Sequence, residues 1–234
     1  ERVLKGLDDR TAGDFSYDSG RILGSMISKP HKFAAEVYSK YIEKNLGDPG
    51  LCPGVAAIEK EVIRTIGALL HHPNASGNIV TGGTEANLIA MAVARNMKRR
   101  IAKPSILLPK SAHVSFDKAS CLLRLHSVKV GLTDSYQMNV GELKKSLTND
   151  TVAIVTVAGS TALGVVDPID EISEIAEENN IFLHVDAAFG GFVLPFLKEL
   201  GYNAPEFDFK LKGVSSITAD PHKMGMCPIP SGGL

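Results

Sequence analysis

Apolar positions along the chain first recur at helical spacing and later gather into short extended runs. Between Pro30 and Asn45 the residues Phe33, Ala34, Val37, Tyr38, Tyr41 and Ile42 repeat every three or four positions, which predicts an amphipathic helix closed by the turn residues Gly47-Asp48-Pro49-Gly50. A second helix is predicted over Val55 to Leu70, with Ile58, Val62, Ile63, Ile66, Leu69 and Leu70 as its buried stripe. Both read as packing elements. Ahead of them Glu1 to Ser19 is polar and aperiodic, so residues 1–50 read as an N-terminal arm plus helix and residues 51–234 as one large domain.

After Asn74 the period changes. Asn78 to Thr81 is extended, Gly82 and Gly83 follow, and Thr84-Glu85-Ala86-Asn87 opens a helix through about Arg100. Strand-like pieces at Ser105–Pro109, Leu125–Val130, Val152–Ala158, Ile181–Val185 and Val214–Thr218 then alternate with helical pieces at Val114–Leu123, Leu143–Leu147 and Asp167 to about Asn179. Asn139 and Glu142 are spaced as a capping box, and Asp167-Pro168 as an N-cap with a first-turn proline. The run Val152–Ala158 is β-branched and apolar almost throughout, as in a strand covered on both faces. The alternation predicts an α/β fold with a mainly parallel sheet in a three-layer α/β/α sandwich.

Composition narrows the class. In 234 residues, 44 % are hydrophobic and the formal net charge is −1, enough to bury a substantial core and no excess to attract a polyanion, so nucleic acid is not an expected partner. Apolar runs are short and interrupted, and the first residues lack a basic segment followed by an apolar one; neither a membrane partner nor a secretory leader is expected, and the setting reads as cytoplasmic. Cys52, Cys121 and Cys227 are odd in number and show no Cys-x-x-Cys spacing, which points to core or site-lining thiols rather than a disulfide framework or a zinc site.

In a parallel α/β sheet, chemistry collects beyond the carboxyl ends of the strands. Pro221 ends the last strand, so His222 and Lys223 fall just past it. Asp186 closes the apolar strand Ile181–Val185, where a carboxylate needs a cationic partner: a distant Arg, or the protonated ring nitrogen of a bound pyridine. Gly82-Gly83-Thr84 at a helix start suits a phosphate, and serves equally well as a plain turn with a Thr N-cap. His113 and Thr161 follow two other strand ends and also suit hydrogen-bonded loop positions. His71-His72 point in different directions on a helix and no metal-ligand spacing, nucleophile elbow or P-loop motif is present, so no metal site is predicted.

Four strings, in order, resemble the signatures of the group II amino-acid decarboxylases among the fold-type I pyridoxal-phosphate enzymes: Thr81-Gly82-Gly83-Thr84-Glu85-Ala86-Asn87, Ser111-Ala112-His113-Val114-Ser115-Phe116-Asp117-Lys118-Ala119, His184-Val185-Asp186-Ala187-Ala188 and Asp220-Pro221-His222-Lys223. Leu46-Gly47-Asp48-Pro49-Gly50-Leu51 and Pro228-Ile229-Pro230-Ser231-Gly232-Gly233 add a likeness to the archaeal L-tyrosine/L-aspartate decarboxylases. The resemblance implies pyridoxal 5'-phosphate as cofactor, decarboxylation of tyrosine or aspartate to tyramine or β-alanine, and a homodimer with its site at the interface. It implies Lys223 as the residue joined to the cofactor, Asp186 on the pyridine nitrogen, His113 over the ring and Ala188 beneath it. Gly83, Thr84 and His222 are implied on the phosphate, and Thr161 near the ring hydroxyl or the substrate carboxylate. It further implies that the C-terminal part of the large domain, with a tyrosine-bearing loop, lies beyond Leu234. The run Ser215–Lys223 also resembles that of sphingosine-phosphate lyases, so a carbon–carbon lyase and an inactive cofactor-fold scaffold are the alternatives at this point.

Overall fold

The computed structural model describes residues 1–22 and 25–234. The β-branched and apolar runs form a sheet of five parallel strands: β2 (Ser105–Pro109), β3 (His126–Val130), β4 (Thr151–Val157), β5 (Phe182–Asp186) and β6 (Val214–Thr218), in the order β3-β2-β4-β5-β6. A short antiparallel pair, β1 (Ile79–Val80) with β7 (Gly232–Gly233), joins the β6 edge through a bridge between Ala219 and Gly233. Every residue of the central strand β4 is buried, as its unbroken apolar run requires.

Side chains alternate across each strand and therefore build two cores. On one face Ile106, Leu108, Ala153 and Val155 pack with α4 (Gly83–Met97) and α5 (Ser115–Leu123) through Ala90, Met91, Ala94, Phe116 and Ala119. On the other, Leu107, Ile154, Leu183, Val185 and Ile217 pack with α6 (Val140–Ser146) and α7 (Ile169–Glu178) through Leu143, Ile169, Ile172 and Ile175. The result is the expected three-layer α/β/α sandwich. Because the strands are parallel and in register, Val157, Asp186 and Thr218 stand side by side at the carboxyl edge. That edge receives the loops carrying the unusual residues.

Several local readings need correction. Residues Arg2–Thr11, expected to be irregular, form helix α1, whose apolar Val3, Leu4 and Leu7 sit at i, i+1 and i+4 and remain exposed. Helix α2 (Lys32–Lys40) forms as predicted but buries none of its residues: Phe33, Val37 and Tyr38 are exposed, as are Tyr41 and Ile42 beyond it. In α3 (Pro53–Leu69) Ile63 is buried, and so is Leu70 just after it, whereas Ile58 and Val62 face outward. Cys121 is exposed rather than a core or site-lining thiol.

Asn139 caps α6 as expected, its side chain accepting from the Glu142 amide at 3.0 Å. Asp167 does not cap α7. Its two carboxylate oxygens accept from the Met138 amide at 2.7 Å and the Val157 amide at 2.8 Å, pinning the end of β4 to the segment after β3. Burial pushes the Asp167 carboxyl above its ordinary value, opposed by those two amide hydrogen bonds.

Candidate active site

Beyond the carboxyl ends of the strands lies a cavity of about 320 Å³ lined by Gly83, Thr84, His113, Thr161, Asp186, Ala188, His222 and Lys223. All eight positions singled out in the sequence converge on this one space, though they span 141 positions of the chain, from 83 to 223. Met26, Ser111 and Phe189 join the lining.

Each side chain is placed by a distinct element. Lys223 lies five residues past β6, its Nζ 3.2 Å from Oδ2 of Asp220. The hydroxyl of Ser28 donates to the Lys223 carbonyl and the His31 amide to that of Met226, tying the N-terminal segment to this loop. His222 is buried, and its Nδ1 accepts from the Ser231 amide at 3.0 Å, so a neutral ring carries its proton on Nε2, which lies 3.7 Å from Asp220 Oδ2. The Gly83 amide donates to that same oxygen at 2.9 Å, while Asp220 Oδ1 is buried without a partner among the described residues. His113 sits on the exposed rim, with Nδ1 accepting from the Ser115 amide at 3.2 Å, and Thr161 is exposed on the same rim.

The glycines leave no room for side chains. A Cβ at Gly82 would stand 2.9 Å from the His222 ring, and one at Gly83 would stand 2.8 Å from Asp220 Oδ2 and 3.1 Å from the Ala188 Cβ. Just after them, Glu85 in the first turn of α4 accepts from both the amide and the hydroxyl of Thr81 at 2.7 Å. The amide bond holds its carboxyl below the usual range and the hydroxyl adds to the effect.

Asp186, the last residue of β5, is 6 % exposed. Its oxygens accept from Asn87 Nδ2 at 2.9 Å and the Ala188 amide at 3.2 Å, and no Lys or Arg pairs with it among the described residues. The distant-Arg alternative is therefore not realised there. Asn87 itself meets Ser115, His184 and Thr218 through its two amide ends. Sequence reasoning assigned no role to Asn87, His184 or Asp220, although two of them signal their place: Asn87 is a polar residue among Ala86, Ala90 and Met91 on the buried face of α4, and His184 interrupts an apolar strand.

Residues 24–234 match the model of the pyridoxal-dependent decarboxylase conserved domain. The chain belongs to the pyridoxal-dependent decarboxylase family. Within that family it is 53 % identical, over 234 residues, to the L-aspartate/L-glutamate decarboxylase of Pyrococcus horikoshii, covering all of this chain and 61 % of the relative. It is 55 % identical over 217 residues to the probable L-tyrosine/L-aspartate decarboxylase of Methanothermobacter thermautotrophicus, covering 93 % of this chain and 60 % of that one. Among solved structures, the sphingosine-1-phosphate lyase of Burkholderia pseudomallei superimposes with a TM-score of 0.91 at 33 % identity, over 99 % of this chain and 57 % of that one. The chain thus spans about three fifths of the length of the curated relatives it matches, 61 % and 60 % in these two cases. Pyridoxal phosphate is the cofactor of a pyridoxal-dependent decarboxylase domain, and the large-domain fold of that class is present.

Proposed function

We propose that this chain forms the cofactor-binding part of an L-amino-acid decarboxylase that acts on aspartate or tyrosine, releasing carbon dioxide to leave β-alanine or tyramine. The observation that carries the proposal is a lysine, a buried carboxylate without a cationic side-chain partner among the described residues, and a glycine-lined helix start, all facing one cavity. The residues fit pyridoxal phosphate on three counts. A volume of about 320 Å³ falls in the range of small-molecule sites. The carboxylate of Asp186 supplies the negative charge a protonated pyridine needs. The start of α4 offers amide donors and a favourable dipole to a phosphate.

These placements support the roles that the family resemblance implies. Gly83 serves the phosphate by lacking a side chain, since its own amide is taken by Asp220; the Thr84 amide and hydroxyl and the His222 Nε2–H are the donors left for it. Ala188 and His113 are assigned to the two faces of the ring and Thr161 to the ring hydroxyl or the substrate carboxylate, an assignment supported by the place of all three in the cavity lining. Pyridoxal phosphate, when bound, supplies an electron sink for the pair left on Cα as carbon dioxide departs. Asp186 keeps the proton on the ring nitrogen in a site where low dielectric strengthens the pairing. Lys223 is the amine that would join the cofactor, and Asp220 Oδ2, 3.2 Å from Nζ, orients it.

The reading includes the division into an arm over 1–50 and a cofactor domain over 51–234, supported by the absence of buried residues in α1 and α2. It includes a homodimer, supported by the exposed apolar run Phe33, Val37, Tyr38, Tyr41 and Ile42. Among the described residues no helix is long and apolar enough to cross a membrane, and a cytoplasmic setting is part of the proposal, supported by three cysteines that are all free. The lyase alternative has less support: 33 % identity to the lyase against 53 % and 55 % to the two decarboxylases. The test is product analysis of the holoenzyme with a panel of L-amino acids. Amine and carbon dioxide from aspartate or tyrosine support the proposal; cleavage of a phosphorylated amino alcohol, with no carbon dioxide from any amino acid, overturns it.

A further inference from the structure

We infer that Asn87 and His184 are positioning residues that aim the Asp186 carboxylate at the cofactor's ring nitrogen while leaving its charge uncompensated. The inference rests on the preceding reading of Asp186 as the partner of that nitrogen.

Asn87 uses every hydrogen-bonding position of its amide. Nδ2 donates to Asp186 Oδ2 at 2.9 Å and to Ser115 Oγ at 3.0 Å, while Oδ1 accepts from His184 Nε2 at 2.9 Å and from Thr218 Oγ1 at 2.8 Å. Asn87, Ser115, His184, Asp186 and Thr218 are all buried, which shields these hydrogen bonds from bulk solvent. Asp186 fixes the orientation of the amide, since reversing it would set Oδ1 against a carboxylate.

His184 braces that orientation from the other end of the amide. An acceptor-only oxygen faces its Nε2, so Nε2 carries a proton, and its Nδ1 lies 2.7 Å from Ser216 Oγ, which donates to it. Complete burial lowers the imidazole to about 4, overcoming the opposite pull of Asp186, and leaves the ring neutral at physiological pH. Its other neighbours, Asn87, Ser216, Thr218 and the Phe116 ring at 5.9 Å, carry no charge. Among the described residues Asp186 is therefore held only by neutral donors, Asn87 Nδ2 and the Ala188 amide. A charged imidazole would do the same positioning and cancel the field the ring nitrogen needs. A neutral one supplies geometry alone.

Two substitutions at 184 separate this role from packing. His184→Gln keeps a donor for Asn87 and an acceptor for Ser216 but loses the ring against Phe116; His184→Phe keeps a ring and loses both hydrogen bonds. In holoenzyme reconstituted with ring-¹⁵N pyridoxal phosphate, the nitrogen shift reports protonation. We expect wild type and His184→Gln to hold the protonated form, with cofactor affinity alike within about threefold. His184→Phe is expected to move the shift toward neutral pyridine and weaken cofactor binding roughly tenfold or more. The reverse order, or two variants that behave alike, overturns the inference. Thermal unfolding of the cofactor-free proteins monitors the fold. Should both variants fail to fold, imidazole ¹⁵N shifts of wild-type His184 decide: a neutral Nε2–H ring at pH 7 supports the role, and an Nδ1–H or doubly protonated ring refutes it. Asp186→Asn separates the two levels. If its ring nitrogen stays protonated, the reading of Asp186 itself fails; if Asp186→Asn neutralises the nitrogen and His184→Phe does not, only the roles of Asn87 and His184 fall.

Discussion

The buried, uncharged His184 makes a quantitative prediction about acid stability. In the unfolded chain this imidazole titrates near its ordinary value of 6.5, whereas in the native protein burial lowers it to about 4. Above both values neither state binds the proton and the group contributes nothing. As the pH falls below 6.5 the unfolded chain takes up a proton that the native state refuses, so stability drops until about pH 4 and then levels off. At 1.36 kcal/mol per unit, the interval of roughly 2.5 units amounts to about 3 kcal/mol, a large share of a domain's stability. Replacing the titrating group isolates the effect from the many surface carboxylates that titrate in the same range. Urea unfolding of cofactor-free wild type and His184→Gln, followed by circular dichroism from pH 8 to pH 4 at constant ionic strength, gives the two curves. The wild type is expected to lose about 3 kcal/mol more than the variant across that interval. Parallel curves would refute the assignment of a neutral, desolvated imidazole.

Three further outcomes follow from particular contacts. Asp186→Asn can keep its oxygen toward Asn87 by turning its amide toward the Ala188 N–H, giving up only the longer 3.2 Å bond, so it costs about 1–2 kcal/mol in thermal unfolding yet lowers kcat of the holoenzyme by about 10²–10³. Wild-type turnover in that variant would remove the electrostatic role. Gly83→Ala places a methyl 2.8 Å from Asp220 Oδ2 and is expected to weaken pyridoxal phosphate binding, read by fluorescence titration, with a stability loss of about 1–3 kcal/mol; unchanged affinity would show the cradle is not used. Asn139→Ala removes the α6 cap and is expected to cost about 1 kcal/mol in denaturant unfolding while leaving cofactor affinity untouched, because the cap does not border the cavity.

Strands β2, β4 and β5 were legible because each is a mostly apolar run ended by a proline, a glycine or a lone polar residue. Asp186 announced itself as a carboxylate closing such a run, and Lys223 as a lysine just past Pro221. What periodicity cannot tell is which stripe finds a partner. Phe33, Val37 and Tyr38 share a helical face that stays exposed, and Ile58 and Val62 turn away from the core that takes Ile63 and Leu70. Asp167 shows another limit: Asp-Pro before a helix reads as a cap, but the antiparallel bridge between Ala158 and Val166 brings the carboxylate to the Val157 amide, and two strong backbone donors outcompete the helix end. The Asn87 contacts were hidden for the same reason, since His184 and Thr218 lie 97 and 131 positions away along the chain and meet it only once the sheet is assembled.

The central claim is that one lysine anchors the cofactor beside Asp186. Borohydride reduction of the holoenzyme followed by peptide mass spectrometry tests it directly: the phosphopyridoxyl group is predicted on Lys223 and to disappear with Lys223→Ala, and a stable adduct on any other lysine in the native protein would contradict the account.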